Sequence, residues 1–106
     1  SDVLASVLKT DPDWTALPAD AMFRLEGGQP SDSGRGFLLG YFGPGQQPTH
    51  AIVVNLDYRA EGTVTLVGPT ALESFDATTA TWAAAKETKA SLRLPPGGGQ
   101  LLRTQR

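Results

Sequence analysis

Glycine and proline cut this chain into pieces too short for long helices, and that punctuation constrains its fold more than any other feature. Twelve Gly and eight Pro are spread over 106 residues, clustered at 27–36, 43–48, 68–69 and 95–99. Such clusters mark turns, and the segments between them have the length of strands. Residues 49–58 are the clearest: Ile52, Val54, Leu56 and Tyr58 alternate with Val53, Asn55 and Asp57. Period-two alternation rich in β-branched residues is the pattern of a strand. In this reading Asn55, Asp57 and Tyr58 form the outward face and exit of a central strand, and Asn55 hydrogen-bonds strand to strand.

The other segments follow the same grammar. Phe23 and Leu25 alternate with Arg24 and Glu26, Val64 and Leu66 with threonines, and Leu92 and Leu94 with Ser91 and Arg93. Each predicts one buried and one solvated face. Residues 37–42 are apolar on both faces, as in the middle of a sandwich or under a further layer. Gly40 within them marks a close approach or a bulge. The turn residues 43–48 join this strand to 49–58 as an antiparallel hairpin with a long loop.

In 70–76, Leu72 and Phe75 stand three apart, so a bulge is needed for both to face the core. Asp76 is placed to bond the amides of the turn that follows it. Residues 80–90 are rich in the helix formers Ala, Lys and Glu, yet short turns and strands on both sides favour a two-strand reading, with a weak strand over 81–85 at Trp82 and a turn at 86–89. A last strand spans 100–104. About eight strands, with no internal repeat, predict an all-β fold, an antiparallel two-sheet sandwich of Greek-key or jelly-roll type.

Residues 1–18 stand apart as a lead-in or linker, and the sandwich domain spans 19–106. Val3, Leu4, Val7 and Leu8 form a helix-like stripe with Asp2 as N-cap, followed by an extended segment that contains Pro12 and Pro18. The chain opens without Met, which predicts a processed product or a piece of something longer.

Composition narrows the partners. Nine basic and eleven acidic residues leave a formal charge of -2 with no basic stripe, which argues against nucleic acid and anionic membrane. The apolar runs fall far short of the roughly 20 residues that span a bilayer. With no cysteine there is neither a disulfide framework nor a thiolate metal site, and the compartment stays open.

No constellation of reactive residues stands out. His50 is the single histidine, so a histidine metal cluster is excluded and a Ser-His-Asp triad would need it as base. Asp57, Glu73 and Asp76 are the carboxylates available for a glycosidase pair, but each sits where structural carboxylates are common. Asp11, Asp13 and Asp20 lack the glycine and closing glutamate of a calcium loop. Gly34-Arg35-Gly36 and Gly97-Gly98-Gly99 lack the Lys and Ser/Thr of a phosphate loop. No catalytic residue, metal or cofactor is predicted. Trp14, Trp82, Tyr41 and Tyr58 are the candidates for stacking on sugar rings.

The order of motifs from Leu17 onward resembles the C-terminal accessory β-sandwich of bacterial glycoside hydrolases. It is carried by Leu17-Pro18-Ala19-Asp20, Leu38-Leu39-Gly40-Tyr41-Phe42-Gly43 and Ala51-Ile52-Val53-Val54-Asn55-Leu56-Asp57-Tyr58. Leu72-Glu73-Ser74-Phe75-Asp76 with Trp82, and Leu94-Pro95-Pro96-Gly97-Gly98-Gly99-Gln100-Leu101-Leu102-Arg103, complete it. Ala80 stands where such domains usually carry glycine. The resemblance implies a non-catalytic domain that packs on, and stabilises or orients, the catalytic barrel of a parent enzyme, secreted or periplasmic with it. The alternative is a carbohydrate-binding module that recruits polysaccharide through exposed aromatics.

Overall fold

The structure is a computed structural model that describes residues 2–10, 22–27, 36–44, 48–84 and 86–104, with the backbone alone for 2–10 and Pro44. Among these residues the chain forms nine strands. They are β1 (Asp2–Thr10), β2 (Arg24–Glu26), β3 (Phe37–Pro44), β4 (His50–Asn55), β5 (Gly62–Val67), β6 (Leu72–Asp76), β7 (Thr81–Trp82), β8 (Lys89–Leu94) and β9 (Gly99–Thr104). All pairings are antiparallel. One sheet has the order β1-β3-β4-β9-β6-β7, the other β2-β5-β8. The fold is the all-β two-sheet sandwich that the turn spacing predicts, with an interleaved strand order in place of a meander.

The core lies between the sheets. Phe37, Leu39, Ala51, Val53, Leu72 and Leu102 of the large sheet meet Leu25, Val64, Leu66, Leu92 and Leu94 of the small one, with Phe23 beside them. Leu39, Leu66, Leu102, Val53 and Phe23 are completely buried. Burial of a side chain of this size stabilises the fold by roughly 1.5–3 kcal/mol.

Residue size decides which face of β4 turns inward. β3 already sends Phe37, Leu39 and Tyr41 toward the core, and the register sets Ala51 opposite Tyr41 and Val53 opposite Leu39. Small residues facing large ones fill the layer without strain. Asn55 belongs to the same face and is 2 % exposed, which corrects its expected outward place. Ile52 and Val54 take the outer face and are half-buried.

Other local expectations are also corrected. Residues 2–10 form a strand on β3 rather than a helical stripe, because the pairing from Asp2–Pro44 to Thr10–Phe37 satisfies their backbone, whereas an isolated short helix is marginal. The lead-in boundary near residue 18 lies outside the described residues. The irregularity in this part of the sheet falls between Leu4 and Ser6 of β1, across from Phe42 and Tyr41, and Gly40 pairs regularly with Ile52. No bulge joins Leu72 and Phe75: the ladder with β9 is continuous from Leu72 to Ser74, Leu72 is buried, and Phe75 belongs to the outer face.

Two turns show their chemistry plainly. Gly98 N–H donates to Pro95 O at 2.8 Å, and Gly97 between them has φ 68°. Proline at the second place and a positive-φ glycine at the third are the signature of a type II turn. In the β6–β7 hairpin, Asp76 Oδ1 accepts from Thr78 N at 2.9 Å and Thr79 N at 3.4 Å, as expected from sequence. Ala80 closes that hairpin at φ 56°, so the chain adopts the left-handed geometry of a glycine without having one.

Candidate functional site

The inner face of the large sheet ends in a polar knot. Asn55 Nδ2 donates to Ala60 O at 2.9 Å and to Leu94 O and Pro95 O at 3.3 Å each, while its Oδ1 accepts from Asp57 N at 3.0 Å. Asp57, 3 % exposed, accepts at Oδ1 from Arg59 N at 2.8 Å and Ala60 N at 3.3 Å. Asn55 N donates to Gly98 O and Gly97 N to Asp57 O. Two side chains thus tie the exit of β4, the start of β5 and the β8–β9 turn together. A Cβ on Gly62 would come within 2.8 Å of the Phe37 ring, so the knot also needs a bare backbone beside it. The Asn55 amide and Asp57 Oδ1 are thus engaged by backbone.

The outer face of the same sheet is different in kind. The pairs Leu38–Val54, Gly40–Ile52 and Phe42–His50 link β3 to β4 on that side, and Leu101 and Phe75 extend it across β9 and β6. Toward the β7 edge the aromatics gather. His50 stacks on Phe42 with centroids 5.3 Å apart and 18° between planes, and meets Trp82 edge-on at 5.9 Å. Trp82 also packs on Phe75 at 5.1 Å. The Arg103 guanidinium lies 4.1 Å from the centre of the Trp82 ring and donates from Nε to Glu73 Oε1 at 2.6 Å. Thr49 Oγ1 and His50 Nδ1 are 2.8 Å apart. Trp and Arg held rigid by such contacts are the residue types that anchor interfaces.

Beside the aromatics, the β6–β9 ladder stops at Ser74–Leu102, although β6 stays paired with β7 through Phe75–Trp82 and Asp76–Thr81. The strands part there and leave an open hollow of about 540 Å³, bordered by Ile52, Phe75, Asp76, Ala83, Gln100 and Leu101 among others. Gln100 bridges it, with Nε2 donating to Phe75 O at 2.7 Å and to Leu101 O at 3.0 Å.

Among the described residues, the aromatics singled out from sequence do not converge. Tyr41 is on the inner face, 6.0 Å from the Phe23 ring and packed on the core. Trp82 is on the outer face, and Tyr58 lies beyond the end of β4, 60 % exposed. Trp14, Asp11, Asp13, Asp20, Gly34 and Arg35 lie outside the described residues. The carboxylates are separated as well: Asp57 is in the knot, Glu73 in the ion pair with Arg103, and Asp76 caps its own turn. Among the described residues no group of three His, Cys, Asp or Glu is placed to hold a metal, and no helix is long and apolar enough to cross a membrane.

Phe42, Phe75 and Arg103 were not among the sequence candidates, because their cluster is assembled from β3, β4, β6, β7 and β9 at long separation. Comparison with protein-family models, with curated proteins and with solved structures finds no match for this chain.

Proposed function

We propose that this domain is a non-catalytic accessory β-sandwich that docks on a second folded domain through the outer face of β3 and β4. Following the sequence resemblance, that neighbour is the catalytic barrel of a glycoside hydrolase, which the contact stabilises or orients. The observation that carries the reading is the apolar outer face itself: Leu38, Phe42, Ile52 and Val54 lie half-buried on the side of the sheet away from the core. The second layer among the described residues, the three-stranded sheet, covers the inner face alone. An antiparallel sheet with one solvated side ordinarily alternates apolar with polar residues, and a contiguous apolar patch on a domain surface marks a contact.

The test is to read the coding sequence on both sides of the chain and to express the encoded polypeptide with Leu38→Lys and Val54→Lys. A barrel with two carboxylates at its strand ends is expected. The double variant should then lower the melting temperature of the barrel, while the 106-residue chain alone melts much as it did before. The reading fails if no further domain is encoded, or if the chain alone hydrolyses an aryl glycoside.

A carbohydrate-binding module is the second reading, and the observation that favours it is the open hollow lined by Phe75 together with Asp76 and Gln100.

A further inference from the structure

We propose that the hollow between β9 and the β6–β7 hairpin binds a neutral pyranose ring, with Phe75 as the stacking platform and Asp76 and Gln100 as acceptors for its hydroxyls. The inference rests on the carbohydrate-binding reading and gives it a place.

The walls divide into two chemistries. Phe75, braced by Trp82 at 5.1 Å, and Ile52, Leu101 and Ala83 supply an apolar side. The polar members are acceptors. An amide NH2 has two hydrogens, and the carbonyls of Phe75 and Leu101 occupy the donors of Gln100, so its oxygen is what it can offer a ligand. Asp76 uses Oδ1 for the turn amides, and an ionised carboxylate only accepts.

This combination selects among ligand classes. No Lys, Arg or His is among the described lining residues, so a phosphate or carboxylate would meet the Asp76 charge with no cation to offset it. A wholly apolar ligand would cover the polar groups and leave them unpaired, which costs free energy. A pyranose matches both sides, since its C–H face lies on an aromatic ring and its hydroxyls donate to carboxylate and amide oxygens. The volume, about 540 Å³, falls within the range of roughly 300–1,000 Å³ usual for small-ligand sites.

The experiment is an amide NMR titration of the full chain with cellotriose, laminaritriose, maltotriose and xylotriose, each to millimolar concentration. Saturable shifts centred on Ile52, Phe75, Ala83 and Leu101 are expected with at least one of the four. Phe75→Leu keeps the apolar bulk without the ring and should weaken binding by about tenfold. Asp76→Asn, which can still cap its turn, should weaken it by a smaller factor, and Leu38→Lys should leave it unchanged. Saturable shifts centred on Tyr58 would overturn this site and leave the carbohydrate-binding reading standing. No saturable shift with any of the four sugars overturns both, and undiminished binding by Phe75→Leu overturns the site.

Discussion

The two faces of the six-stranded sheet carry polar groups held in opposite ways. On the inside, Asn55 and Asp57 are nearly fully buried and hydrogen-bond to backbone amides and carbonyls. On the outside, Arg103, Glu73, His50 and Trp82 are half-buried and bond to one another. A buried polar group that loses its partner keeps the full cost of desolvation, whereas a half-exposed pair can exchange its partner for water. The inner constellation is therefore part of the folding requirement. The outer one can lose a partner to water at small cost, so the two faces differ in how strictly the fold holds their polar groups.

That contrast can be broken most forcefully at Asn55. Asn55→Asp keeps the shape but sets a carboxylate against the carbonyls of Ala60, Leu94 and Pro95. The expected loss is on the order of 3 kcal/mol, read by chemical denaturation. A change of a few tenths would show that the knot is ornamental.

The outer cluster should respond less. Arg103→Ala removes both the stacking on Trp82 and the ion pair with Glu73, at a cost of about 1 kcal/mol. A loss as large as that of Asn55→Asp would make the outer face part of the core and weaken the docking proposal. The smallest effect has the opposite sign. Ala80 holds φ 56° at a place suited to glycine, so Ala80→Gly should raise stability by about 0.5–1 kcal/mol. No gain in the melting temperature would mean that the hairpin bears no strain there.

Much of the architecture was legible from spacing. Phe23 with Leu25, Val64 with Leu66 and Leu92 with Leu94 pointed inward as their alternation required, and Asp76 capped the turn assigned to it. The face of β4 was not legible. Ile52-Val54 and Ala51-Val53 are both apolar rows, and a polar Asn55 on one of them pointed outward by the usual rule. Which row is buried depended on the large residues of β3 opposite, and on carbonyls from Ala60, Leu94 and Pro95 that the local sequence does not reveal. The outer cluster was hidden for a related reason: Phe42, His50, Phe75, Trp82 and Arg103 are neighbours only after β9 inserts between β4 and β6.

What the sequence determined by itself was the sandwich, since glycine, proline and period-two alternation act within a few residues and limit the chain to short paired strands. What the tertiary structure alone decided was which apolar face became core and where the aromatics met. Those outcomes depend on the register between distant strands, and on volumes that are complementary only once the two sheets have closed.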